Sequence, residues 1–293
     1  VTTGDNNVAI GDSALQVVTT SSNNIAIGKS SLAQCTGGSN IALGTFCLDS
    51  VTSGEDNLAL GYEAGGALTT GGKNIAIGYQ ALKSETTASD NLAIGYHAGK
   101  NYTAINGCFI GHKAGENLTD GNLNMCIGYH AGRNNGGIYA GGAGTYSNTW
   151  IGASCASAIT GGNQNVGIGA NALQNNSAWS NVAIGNDAGI SNTSGTRSTF
   201  IGRYSGTTNT TGSYNFFAGY YAGADNTTGS NNTFIGDQAG HTGTNNLTTG
   251  NNNTLIGSSA AASSATVSNE ITIGDSNVTS LRCQVQTISS LSD

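Results

Sequence analysis

One five-residue string, Asn-x-Ala-Ile-Gly, returns along almost the whole chain, and its spacing constrains the fold more than any other feature. Anchored on the final glycine, it falls at Gly11, Gly28, Gly44, Gly61, Gly78, Gly95, Gly111, Gly128, Gly152, Gly169, Gly185, Gly202, Gly219, Gly236, Gly257 and Gly274. Thirteen of the fifteen spacings are 16 or 17 residues; the exceptions are 24 (Gly128 to Gly152) and 21 (Gly236 to Gly257). Units this short cannot each bury an apolar face alone, so a strict period means stacked turns that cover one another.

The columns of the repeat define a strand. One residue before the anchor is Ile or Leu in fifteen of the sixteen turns, with Ala218 the exception, and three before is mostly Val, Ile or Leu. These two positions share a face because strand side chains alternate. The residue between them points the other way. It is Ala in the first six turns and later Phe109, Trp150, Phe200, Phe217 and Phe234. Both faces of the strand are therefore apolar, and both need cover. One is the interior of the coil; the other must meet another chain or layer. Ile10, Ile27, Ile77 and Ile94, with the five aromatic residues, are the candidate residues of this core and of an oligomer axis.

Asn stands four residues before the anchor in thirteen turns, where it suits a turn and could build an amide ladder. Three after the anchor the side chain is nearly always small, as at Ala14, Ser31 and Ala64, which suits an inward corner. Thr pairs such as Thr69-Thr70 and Thr210-Thr211 follow and read as a second short strand ending in a turn. Helix is excluded by the lack of a 3.6-residue period and the abundance of Gly, Asn and Thr. The expectation is an all-β parallel solenoid of about 16 turns, roughly 75–80 Å long at one strand spacing per turn.

Composition narrows the function. Charged residues are 9% of the chain, there are 46 glycines and no proline, and the net charge is −7. No basic stripe exists to neutralise phosphates, so a nucleic-acid partner is not expected. No apolar run approaches the ~20 residues of a membrane span. Val1 sits inside a repeat with no visible signal peptide, so the chain reads as a piece of something longer. Six single cysteines without a CxxC pattern read as small buried residues.

The Asn-x-Ala-Ile-Gly-x-x-Ala turns, over about residues 4–275, resemble the head repeats of YadA-like trimeric adhesins. That resemblance implies a left-handed β-roll and a homotrimeric rod whose apolar strands face the threefold axis. The turns here are longer than in the archetype, so the second strand or its loop is expected to be larger. Residues 269–293 resemble the segment that precedes an intramolecular chaperone domain (peptidase S74 type) in bacteriophage tail fibres and tailspikes. That family cuts itself at a Ser-Asp junction, so Ser292-Asp293 would be a processing end and 276–293 a trimeric closing segment after a repeat domain of 1–275. The resemblance implies a tail fibre in the virion, contacting a host cell-surface receptor or glycan and carrying no cofactor. A bacterial trimeric autotransporter adhesin head on the cell surface is the alternative.

Few residues suggest chemistry. Tyr62, Tyr79, Tyr96 and Tyr129 directly follow their anchors, with His112 in the same column. They are candidate glycan contacts, or a stacking ladder between turns. The long spacing after Gly128 predicts an insertion loop at about 133–147, whose Tyr139 and Tyr146 are further receptor candidates. His97 and His130 share a column two turns apart, about 9–10 Å, too far to ligate one metal. No paired acid recurs and no Ser-His-Asp set can be assembled, so no catalytic or metal residue is assigned. An enzyme reading survives only as a left-handed β-helix acyltransferase, which needs three hexapeptide units per turn where this chain has one. An ice-binding solenoid is weaker still, because adjacent threonines point to opposite faces.

Overall fold

The computed structural model describes residues 3–119, 121–133 and 147–280. Among them the chain is all-β: a single parallel β-solenoid with one three-residue strand per turn, from β1 (Val8–Ile10) to β16 (Ile271–Ile273). The strands hydrogen-bond in sequence order as one sheet. Register holds column against column, as in Val8↔Ile25, Ala9↔Ala26 and Ile10↔Ile27. It also survives both long spacings: Met125 pairs with Thr149 and Thr233 with Thr254. Between Gly236 and Gly257 the extra residues therefore leave the sheet. At the second long spacing Leu247 N–H bonds back to Gly240 O (3.2 Å), closing off the small loop between them.

Each strand is short because left-handed residues bracket it. Asn23 precedes Ile25–Ile27 at φ 64°, and Ser30 and Leu32 follow at 54° and 48°. The same three places repeat in the next turns, for example at Ser39, Phe46 and Leu48. Asn tolerates this conformation, which a branched or bulky residue resists. A leucine holds it because its side chain is fully buried beneath the strand.

The second strand expected at the threonine pairs does not form. There the N–H groups of two successive residues converge on one carbonyl of the next turn: Thr69 and Thr70 on Thr86 O (2.7 and 3.3 Å), Thr193 and Ser194 on Thr210 O (2.9 and 3.1 Å). An extended strand would point those two N–H groups to opposite sides. The segment is a stacked bend whose hydrogen bonds still run along the axis.

The strand's two apolar faces separate cleanly. Ala26, Phe109, Trp150, Phe200, Phe217 and Phe234 are fully buried inside their own coil. The small corner residues Ser31, Ala64, Ala81 and Ala98 are buried with them. The flanking columns face outward: Ile10, Ile27 and Ile94 are 58%, 37% and 36% exposed, and Ile77 is half-buried. Core size is balanced within a turn or between adjacent turns: Ala59, Ala93 and Ala183 stand with Gly65, Gly99 and Gly189, which Leu48, Phe109 and Phe200 of neighbouring turns approach. Where the inward strand residue is Phe109, Phe200, Phe217 or Phe234, the residue six further on is Gly115, Gly206, Gly223 or Gly240, and a β-carbon there would strike the ring. Where it is Ala26, Ala42 or Ala76, that place holds the buried Leu32, Leu48 or Leu82.

The asparagine column forms a ladder. Asn40 Oδ1 accepts from Asn57 N–H and Nδ2 (both 3.0 Å), while Asn40 Nδ2 donates to Gly54 O (2.8 Å). Asn57 and Asn74 repeat the pattern one turn on. Each buried amide thus supplies an acceptor where the turn breaks the strand ladder. The cysteines Cys35, Cys47, Cys126 and Cys155 are buried and free, and burial pushes the Cys47 and Cys155 thiols up to about 12. Among the described residues no helix is long and apolar enough to cross a membrane.

Candidate functional site

The residue after each anchor opens the turn that follows the strand, and its side chain stands outward beside the aliphatic columns. In the turns from Gly61 to Gly128 that column is aromatic. Tyr62 stacks on Tyr79 and Tyr79 on Tyr96, both with ring centroids 5.3 Å apart and planes within 12° and 11°. His112 continues the row, 5.1 Å from Tyr96 and 5.3 Å from Tyr129. The ladder thus joins the four tyrosines singled out from sequence. Tyr79 and Tyr96 have both ring faces on neighbours and offer edges and hydroxyls to solvent. Tyr62 and Tyr129 close the row, because the same column holds Thr45 before it and Ala153 after it. Phe46 meets Tyr62 edge-on at one end (centroids 6.0 Å), and His130 stacks on Tyr129 at the other (3.8 Å).

A charged cluster flanks the ladder. His97 lies against Tyr96, with centroids 3.9 Å apart, and its Nδ1 is 2.7 Å from Glu116 Oε1. Arg133 Nε donates to Glu116 Oε2 (2.9 Å), and Lys113 Nζ lies 3.5 Å from Oε1. Burial alone would raise the Glu116 carboxyl, but the bonds from His97 and Arg133 and the charges of Lys113 and Arg133 hold it below its usual range. Burial lowers His97 despite the carboxylate beside it, so the ring is neutral at neutral pH, with Nδ1–H donating to Glu116. His97 Nε2 is buried with no partner. His130 is also lowered by burial. Among the described residues no group of three His, Cys, Asp or Glu side chains is placed to hold a metal ion.

Sequence reasoning missed a second aromatic patch. Trp179 is 59% exposed, and in the next turn Arg197 N–H bonds to the Trp179 carbonyl (3.2 Å). The Arg197 guanidinium lies 5.5 Å from the Tyr214 ring centroid and donates to the Tyr214 hydroxyl. This corner precedes the strand, whereas the tyrosine ladder follows it. Arg197 and Tyr214 stand five residues before their anchors and Trp179 six before, in columns that elsewhere hold mostly Asn, Ser, Asp and Gly, so periodicity gave no signal; the only cue is a large aromatic where most turns carry a small or polar residue.

Tyr139, Tyr146, Ser292 and Asp293 lie outside the described residues, as do most of the insertion loop and of the closing segment. Arg133, immediately before that insertion, belongs to the Glu116 cluster. Compared with protein-family models and with curated proteins, the chain matches none.

Proposed function

We propose that this chain is a mechanical, non-catalytic element: the shaft or receptor-binding region of a homotrimeric bacteriophage tail fibre. One observation carries the reading. Two outward columns, exposed or half-buried, run along one face of the sixteen stacked strands; one is Ile or Leu except at Ala218 and the other is apolar except at Thr149, Thr199, Thr233 and Thr254, from Val8 and Ile10 (42% and 58% exposed) to Ile271 and Ile273 (69% and 53%). At one strand spacing per turn this stripe is roughly 75 Å long. Monomeric soluble proteins rarely expose a contiguous apolar patch beyond a few hundred Å². Parallel copies that turn their stripes to a common axis bury it, and a closed rotation leaves no free copy of the patch. The number three comes from the resemblance to trimeric β-roll heads. Axial hydrogen bonds through every turn would make the rod stiff, and the shared core would hold its chains together.

The attachment role is tested by adsorption. Labelled protein added to a panel of bacterial strains is expected to bind at least one strain saturably and to block infection of that strain by phage. Saturable binding to none of the strains contradicts attachment. A bacterial adhesin head would carry the same stripe; a membrane-anchor barrel encoded downstream, in place of a chaperone domain, would favour it.

A further inference from the structure

Beside the first ring of the tyrosine ladder the surface is notched. Five and six residues after the anchor, the turn starting at Gly61 carries Gly66 and Ala67, where its neighbours carry Asp49-Ser50 and Lys83-Ser84. The resulting cleft has a volume of about 410 Å³ and is lined by these residues except Ser84, with Phe46 and Glu63. That is within the usual range for small-molecule sites. Gly66 is the only glycine in its column of sixteen turns. Its backbone does not require glycine, since its φ is not positive. The atoms nearest a β-carbon there are Glu63 O at 3.3 Å, a tight contact, and Asp49 Oδ1 and Glu63 Cβ at 3.6 Å. The absent side chain leaves space that the fold does not need.

The walls of the notch differ in chemistry. On one side is the half-buried Phe46 ring, edge-on to Tyr62 at 6.0 Å. On the other, Glu63 is held in place: Lys83 Nζ and Gln80 Nε2 both lie 2.6 Å from its Oε2. Asp49 has no ion-pair partner among the described residues, and burial followed by the Glu63 charge pushes its carboxyl up. An aromatic ring, carboxylate acceptors and an ammonium donor around one notch match a pyranose ring. Its C–H face packs on an aromatic and its neighbouring hydroxyls bond to carboxylate and ammonium. Two carboxylates against one ammonium disfavour an anionic sugar.

We infer that the Phe46–Asp49–Glu63–Lys83 cleft is a binding site for a neutral pyranose. The site lies within one chain; it rests on the attachment reading only for its biological role. In a trimer, three copies would raise the avidity of a weak sugar contact for a multivalent surface.

The test is a glycan array presenting neutral hexosides, N-acetylhexosaminides and sialosides, probed with the intact protein. Binding to neutral sugars is expected, with sialosides at least tenfold weaker. Gly66→Gln puts into the notch a side chain that Gln174 carries at the same place, and Asp49→Asn removes the free carboxylate. Each is expected to weaken array binding at least tenfold while circular dichroism and sedimentation stay unchanged. Binding to no neutral sugar, or binding that neither variant alters, overturns the proposal. Sedimentation of the same sample separates this failure from failure of the trimer: a monomer that binds sugar keeps the cleft and loses the fibre, and a trimer that binds none does the reverse.

Discussion

At each anchor the backbone takes a φ that side chains refuse, +135° at Gly78 and +137° at Gly95. A β-carbon on Gly78 would also run into the Gly95 carbonyl of the next turn. Gly78→Ala is therefore expected to cost about 1–3 kcal/mol from backbone strain alone, with the clash added, read as a drop in urea midpoint. Glu85 shows a different dependence on stacking. The threonine N–H ladder runs from Thr52 to Thr69 O and from Thr69 to Thr86 O, but Thr86 donates instead to Glu85 Oε1 (2.7 Å), joined there by Thr87 and Ala88. The following turn is one residue shorter, and Glu85 supplies the acceptor that stacking lacks. Burial raises its carboxyl, and Oε2 has no partner. A raised folded-state value means that stability is full below the ordinary carboxyl range and falls as pH climbs through the raised value. For Glu116, held low, stability is present above that range and is lost as pH falls through the lowered value; His97, also lowered, loses stability as pH falls below its ordinary 6.5. Urea midpoints across pH 3–8 check both signs. Glu85→Gln is expected to remove the decline on rising pH, and Glu116→Gln to flatten the loss on the acid side. Unchanged profiles contradict the assignments. The asparagine column was legible because Asn returns at one offset and its chemistry suits a turn. Glu85 was not, since one acid among sixteen different turns has no period to reveal it.

In the turns that pair Phe with Gly or Ala with Leu, volume is exchanged across the coil. Phe217 stacks on Phe234 with centroids 4.7 Å apart and lies over Gly223, whose φ is 60°. The corresponding pair in an earlier turn is Ala76 and Leu82, with Leu82 at φ 48°. Phe217→Ala should therefore cost about 3–5 kcal/mol through the cavity it leaves. Gly223→Leu should be destabilising through overlap with the ring. Together they rebuild the Ala–Leu arrangement, and the double variant is expected to recover more than 1 kcal/mol relative to the sum of the single changes. Additive losses, measured by a double-mutant cycle, would contradict the exchange. The strand itself was readable from its columns, and so was the apolar character of both faces. Which face turns inward was not, because alternation alone does not say which side the coil closes on. The threonine segment was misread for a physical reason: Thr favours strands, but left-handed residues at either end and N–H groups that share one carbonyl hold it as a bend.

For the whole molecule, everything turns on the stripe left outside. Its columns run from Val8 to Ile273 and are interrupted by no charged residue in any strand. Ile184 lies mid-stripe at 39% exposure, in register between Ile168 and Ile201. Ile184→Asp is expected to leave circular dichroism unchanged and to weaken self-association, since each copy would carry an uncompensated carboxylate to the axis. Period and pattern made the solenoid and the apolar character of both strand faces legible from sequence. The tyrosine ladder was legible as a column, but the notch beside it was not, because it depends on one missing side chain at Gly66. The central claim is that chains bury this stripe against one another, and sedimentation velocity on the purified chain tests it most directly. The expected result is a single elongated species near three times 29.2 kDa, with a high frictional ratio. A stable monomer of 29.2 kDa at micromolar concentration would contradict it.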